Sequence, residues 1–147
     1  MAIEAGVYYI QNIGTNTVVD LGDDSPEPDT KIQGYQKREL SDPWVSAQLW
    51  VIYPVQGSTD TYQIRNAGAR LSFVDLTNGN HDNGSDSQKW IFTRNAADTA
   101  YVIRNLASGT YVDLLNGNAA NGTRINGWSG SGHTTTNPHQ LWALVRA

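Results

Sequence analysis

Tyr101-Val102-Ile103-Arg104-Asn105, then Val112-Asp113-Leu114, then Gln140-Leu141-Trp142: these phrases from the last third of the chain decide the fold, because each occurs twice more upstream in the same order. The first recurs as Tyr8-Tyr9-Ile10-Gln11-Asn12 and Tyr62-Gln63-Ile64-Arg65-Asn66, and the second as Val19-Asp20-Leu21 and Val74-Asp75-Leu76. The third recurs as Gln48-Leu49-Trp50 and Gln88-Lys89-Trp90. In every copy the Asp follows the Asn of the first phrase by eight or nine residues. The second and third copies also share seven identities in eleven positions, from Asp75 to Ser85 and from Asp113 to Thr123. Repetition in fixed order marks an architecture assembled from like units. One domain of three repeats is expected, bounded at about 1–56, 57–97 and 98–147.

Each phrase reads as a short strand. Tyr and Ile alternate in the first, as a half-buried strand requires. Ile52, Phe92 and Leu144 each follow a repeat Trp by two residues, which puts ring and partner on one face. That pattern makes Trp50, Trp90 and Trp142 core residues, each worth about 3–5 kcal/mol against Ala. Between the phrases lie Asn78-Gly79, Asn83-Gly84, Asn116-Gly117 and Asn121-Gly122, pairs that accept positive φ at low cost. No segment sustains helical spacing. Short strands joined by such turns in three copies predict an all-β fold closed on itself, since closure removes exposed edges.

Composition narrows the function classes. The chain has 147 residues, enough for one core. Five Trp and seven Tyr stand against two Phe, so much of the apolar area lies in rings that also carry a polar handle. With 10 Lys and Arg against 14 Asp and Glu, the net charge of −4 and the scattered basic residues argue against nucleic acid. There is no Cys, hence no disulfide frame, no thiolate chemistry and no sulfur-ligated zinc. His81, His133 and His139 lack metal-ligand spacing. The acidic stretch of Asp23, Asp24, Glu27 and Asp29 lacks the spacing of a calcium loop. No cofactor is expected. The segment from Met1 to Gly6 has no secretory pattern, and no run of about 18 apolar residues occurs. The expectation is a cytoplasmic protein that does not insert into membranes, in which Asn83-Gly84-Ser85 and Asn121-Gly122-Thr123 are turns rather than glycosylation sites. Catalysis is not expected: Glu4, Glu27 and Glu39 all lie in the first copy, no pair of acids recurs as a glycosidase needs, and no Gly-x-Ser-x-Gly occurs.

Tyr/Ile/Asn, Asp and Gln-x-Trp in threefold register resemble the ricin-B-like (R-type) β-trefoil lectins, and the Cys-free chain looks like their fungal members. The resemblance covers nearly the whole sequence. It implies a β-trefoil, in which three pseudo-symmetric repeats form a closed barrel with a hairpin cap. It also implies a shallow sugar site in each repeat, where the Asp binds hydroxyls and an aromatic residue on the following hairpin stacks on the ring. The chemistry suits the residue types. A carboxylate accepts two hydroxyls in charge-assisted hydrogen bonds, and a flat ring covers the apolar C–H face of a pyranose. The implied partners are glycoconjugates bearing terminal galactose or N-acetylgalactosamine, with agglutination, a defence role and homodimer formation as family expectations.

Two copies keep the full set. Thirteen residues after Asp20 comes Gln33-Gly34-Tyr35, and thirteen after Asp113 comes Asn126-Gly127-Trp128. By resemblance, Asp20, Gln33, Tyr35 and Gln48 form one site, and Asp113, Asn126, Trp128 and Gln140 the other. Gly22, Gly34 and Gly127 are read as places where backbone approaches the sugar. The family commonly has Asn just before Gln-x-Trp; here Ala47 and His139 stand there, and His139 joins the third-copy site. In the second copy only thirteen residues separate Asp75 from Gln88, against 28 and 27 in the others. A lost hairpin and no independent stacking ring are expected there, so two sites are expected rather than three.

Plainer roles compete. Asp20 and Asp113 also suit turn capping, and Tyr35 and Trp128 also suit hairpin packing. The alternative function is a β-trefoil protease inhibitor presenting Lys37-Arg38 on an exposed loop, since one fold serves many functions.

Overall fold

The computed structural model describes residues 2–69, 71–74, 78–81 and 83–147, with the backbone alone for 71–74 and 78–81. Each repeat contributes four strands. The first holds β1 (Gly6–Asn12), β2 (Val18–Leu21), β3 (Thr30–Tyr35) and β4 (Trp50–Pro54). The second holds β5 (Thr61–Asn66), β6 (Leu71–Val74), β7 (Asn78–His81) and β8 (Lys89–Arg94). The third holds β9 (Tyr101–Asn105), β10 (Tyr111–Leu114), β11 (Thr123–Trp128) and β12 (Trp142–Arg146).

The first and last strands of the repeats pair antiparallel in the order β1–β4–β5–β8–β9–β12 and back to β1, so the ring has no free edge. The remaining strands form three hairpins, β2–β3, β6–β7 and β10–β11. They are joined to one another where β3 pairs with both β11 and β7. This is a β-trefoil.

Period-two alternation was a sound guide to the core. Trp50, Trp90 and Trp142 are fully buried, Ile52 and Phe92 are buried beside them, and Leu144 packs on the same cluster. Burial of an indole N–H demands a partner. Trp50 Nε1 donates to the Val19 carbonyl at 3.0 Å, and Trp142 Nε1 to the Val112 carbonyl at 3.1 Å. Trp50 and Trp142 thereby tie the ring to the hairpin strand at the residue just before the Asp. The Asn that closes the first phrase works on both sides of its amide. Asn12, Asn66 and Asn105 accept from two backbone N–H groups of the turn that follows, and donate to a carbonyl of the segment ahead of a Gln-x-Trp: Pro138, Ser46 and Ser87. Six donors and three acceptors of irregular backbone are satisfied in this way, which is what lets the three polar Asn side chains be buried.

The second repeat differs from expectation. Its hairpin is present, with Val74 paired to Asn78 and Leu71 to His81. What it lacks is the long connection: residues 75–77 join its strands, where 22–29 and 115–122 join the others. The shorter connection leaves the two strands in place. Asp75, the counterpart of Asp20 and Asp113 in this repeat, lies outside the described residues.

Candidate functional site

After Asp20 and after Asp113 the chain makes the same turn. Gly22–Asp24 and Leu115–Gly117 are single 3₁₀ turns, and Asp23 and Asn116 adopt nearly equal left-handed conformations, at φ 54° and 55°. Asn and Asp tolerate that region better than other residues with a Cβ. The turn leaves the carboxylate near the end of its strand, opposite an amide: Asp20 pairs with Gln33 and Asp113 with Asn126. Two residues further along the partner strand, on the same face, stand Tyr35 and Trp128, opposite Val18 and Tyr111. Equal sequence spacing thus becomes equal geometry. In the second repeat the corresponding pair is Phe73 with Gly79, so the place of the stacking ring is held by a residue without a side chain.

Gln48 and Gln140, assigned to the sugar by resemblance, lie behind the carboxylates and do not face the opening. Both are buried. Gln48 Nε2 donates to Asp20 Oδ2 at 3.0 Å and to the Gln36 carbonyl at 2.9 Å. Gln140 Nε2 donates to Asp113 Oδ2 at 2.9 Å and to the Ser129 carbonyl at 2.9 Å. Their task is to hold one carboxylate oxygen so that the other is presented. The glycines also move out of the site. Gly34 and Gly127 pair with Val19 and Val112, which places them on the inner face of the hairpins, away from their Tyr and Trp neighbours. A Cβ on Gly34 would lie 2.8 Å from Leu114 Cδ1, and one on Gly22 would lie 3.0 Å from the Lys31 carbonyl oxygen. Backbone packing needs these two glycines.

The two sites differ in what remains free. In the first, Gln33 Nε2 donates to Asp20 Oδ1 at 3.0 Å, so both carboxylate oxygens are engaged. The Arg38 guanidinium lies over Tyr35 at 4.9 Å from the ring centre and pairs with Asp42 at 3.3 Å. In the third repeat Asn126 is one methylene shorter than Gln33. Among the described residues only Gln140 donates to Asp113, and the Asn126 Oδ1 is buried without a partner. Trp128 is 61% exposed.

A pocket of about 200 Å³ opens here, lined by Asp113, Asn126, Trp128 and His139 together with Leu115, Asn116 and Asn137. The Cδ2–Nε2 edge of the His139 ring lies against Gly117, where a Cβ would come within 2.6 Å of both atoms. Its backbone N–H is capped by Asn137 Oδ1 at 3.0 Å. Asn116 was read in the sequence only as half of a turn pair and Asn137 not at all; the signal for the second was Asn before Pro at the start of a helical turn. Burial raises both Asp carboxyls above their ordinary range. For Asp20 the hydrogen bonds from Gln33 and Gln48 oppose the rise, and for Asp113 those roles fall to Gln140 and the nearby His139.

Lys37 and Arg38, weighed in the sequence as an inhibitory loop, pack against Tyr9 and Gln48. The Lys37 ammonium sits 4.7 Å from the Tyr9 ring centre. The Arg38 N–H donates to Gln48 Oε1 at 2.8 Å, and its carbonyl accepts from the Tyr9 hydroxyl at 2.7 Å.

Comparison with known proteins bears on this geometry. A family model described as ricin-type β-trefoil lectin domain-like matches residues 2–87 and 86–147. No curated protein matches. Among solved structures, a Polyporus squamosus lectin bound to the epitope Neu5Acα2-6Galβ1-4GlcNAc is 31% identical, with a TM-score of 0.71 over 99% of this chain and 50% of its own. The chain therefore spans about half the length of that protein. The Macrolepiota procera ricin B-like lectin in complex with lactose is 24% identical, with a TM-score of 0.70 over all of both chains. The C-half of an earthworm R-type lectin in complex with GalNAc is 19% identical, with a TM-score of 0.74 over 97% of this chain and 99% of that one.

Proposed function

This chain belongs to the ricin-type β-trefoil lectin domain-like family, and from that premise we propose that it is a non-catalytic lectin for glycans ending in galactose or N-acetylgalactosamine, with its principal site in the third repeat. One observation carries the reading: an unshared carboxylate oxygen of Asp113 and an exposed Trp128 stand in a single pocket. Sugar hydroxyls donate to Asp113. The side chain of Asn126, which lines the same pocket, contributes a further polar contact, and the Trp128 ring covers the C–H face. His139 and Asn116 bound the pocket on the side of the turn. The galactose class is supported by that stacking surface, since an axial hydroxyl at C4 leaves the opposite face of the ring apolar and flat. It is supported too by the lactose and GalNAc held by the two structural neighbours.

A shallow site with one stacked face and a few hydrogen bonds corresponds to a Kd of about millimolar to micromolar, or about −4 to −8 kcal/mol. Calorimetric titration with methyl galactoside, N-acetylgalactosamine and methyl mannoside tests the proposal. The expected result is binding of the first two, weakened at least tenfold by Trp128→Ala and by Asp113→Asn. No binding of any sugar, or a preference for mannoside, overturns it.

A further inference from the structure

On the far side of the loop that follows β11 lies a second depression, of about 340 Å³. Ile91 and Val102 form its apolar floor, and Thr93, Arg104, Tyr111 and His133 its polar rim. Each rim side chain can donate a hydrogen bond and none is a carboxylate. Arg104, on β9, stands opposite Tyr111 of β10 and Ile91 of β8. Its guanidinium lies along Gly109, where a Cβ would come 3.2 Å from Nη2. Arg38, Arg94 and Arg146 each pair with a carboxylate, at 3.3, 2.8 and 3.1 Å. Among the described residues no carboxylate pairs with Arg104, although the chain carries a net charge of −4. His133 is exposed on the turn Gly132–Thr134, and its carbonyl accepts from the Ala96 N–H at 2.7 Å, which fixes the turn beside the depression.

We infer that this depression binds an anionic sugar residue, its carboxylate or sulfate taken by Arg104 and His133 and its ring laid over Ile91 and Val102. A guanidinium matches the planar, two-oxygen edge of such groups. A floor of aliphatic side chains offers the ring a dry contact that a bare ion has no use for. The depression is separate from the Asp113 pocket. Gly130 runs between Tyr111 and Gln140, with room for no side chain: a Cβ there would come 3.0 Å from the Tyr111 ring and closer still to the Gln140 amide oxygen. Tyr111 nevertheless stands in register with Trp128, so the two sites flank one hairpin. A branched acidic glycan that reaches across it can meet both. The inference rests on the proposed lectin function only in making a sugar the carrier of the acid.

The test follows backbone amide signals by NMR during titration with methyl β-glucuronide, methyl β-glucoside 6-sulfate and neutral methyl β-glucoside. The expected result is saturable shifts at Arg104, Tyr111, Gly132 and His133, with at least tenfold tighter binding of one or both acidic probes than of the neutral one. Which acid binds tells carboxylate from sulfate recognition. Arg104→Gln and His133→Gln change exposed side chains. With folding confirmed by near-ultraviolet circular dichroism, Arg104→Gln is expected to abolish the preference for acid and His133→Gln to reduce it at least threefold. The Asp113→Asn protein is expected to keep acidic-sugar binding while losing galactoside, so either site can fail without the other. Equal binding of neutral and acidic probes, an unchanged preference in Arg104→Gln, or no shifts at these four residues overturns the inference.

Discussion

At the proposed site, Asp113 would link the stability of this protein to its binding with opposite signs. Burial raises its carboxyl above the ordinary range, and Gln140 and His139 only partly restore it. In the unfolded chain the group titrates near about 3.9. The folded protein therefore holds the proton more tightly than the unfolded chain. The stabilisation this confers is fully present below the unfolded value and is lost as pH rises through the folded value. Sugar hydroxyls need the ionised form as acceptor. On acidification, then, galactoside affinity at the proposed site is expected to fall with a midpoint above the usual Asp value while the contribution of Asp113 to stability grows. Titrations and denaturant melts between neutral pH and about pH 4 check both halves. In Asp113→Asn the pH slope of stability is expected to be shallower than in the parent. Trp128 separates the two properties in another way. Because its ring is mostly in solvent, Trp128→Ala is expected to change stability by less than about 0.5 kcal/mol while removing most of the sugar affinity. A stability loss of several kcal/mol would return the ring to a packing role.

At the level of strands and hairpins, most of the structure was legible because it repeats. The Tyr/Ile/Asn, Val-Asp-Leu and Gln-x-Trp phrases located nine of the twelve strands, those of the ring together with β2, β6 and β10. Their spacing correctly put Asp20 with Tyr35 and Asp113 with Trp128 on shared faces. What failed was depth. Spacing says which face a residue shares, but not whether it stands before or behind its neighbour, so Gln48 and Gln140 were placed with the ligand when they support the carboxylate from the core. Gly34 was misread for a related reason: its demand comes from Leu114 of another repeat, 80 residues away in sequence. That contact yields a prediction. Gly34→Ala sets a methyl 2.8 Å from Leu114 Cδ1 at the junction of β3 and β11, and overpacking of this kind costs about 1–3 kcal/mol. Thermal melts should show the loss, and Leu114→Val in the same chain should recover part of it. Additive losses in the double variant would mean that the two residues do not meet.

For the molecule as a whole the question is valence. A lectin cross-links cells only when one particle carries at least two usable sites, and the pseudo-threefold frame offers three places of which the second repeat lacks a ring. Among the differences between the first and third is a methylene in the amide opposite the Asp. Gln33 spans the gap to Asp20, and Asn126 does not span the gap to Asp113. A sugar entering the first site has to displace the Gln33 amide from Asp20 and lift Arg38 from Tyr35. The Arg38–Asp42 pair is partly exposed and holds that lid only weakly, so Gln33 is the stronger barrier. Calorimetry on the parent chain is therefore expected to show one principal galactoside site. Gln33→Asn frees Asp20 Oδ1 in the manner of the third repeat, and the stoichiometry is expected to rise towards two. Two linked sites can raise avidity by about 10²–10⁴ when receptors allow both to engage. The same substitution should then lower the concentration needed for agglutination far more than it lowers the single-sugar Kd, and Trp128→Ala added to it should cancel that gain. If the parent already binds two galactosides equally, Gln33 moves aside at negligible cost. If Gln33→Asn leaves the stoichiometry at one, the first site is closed by more than this amide.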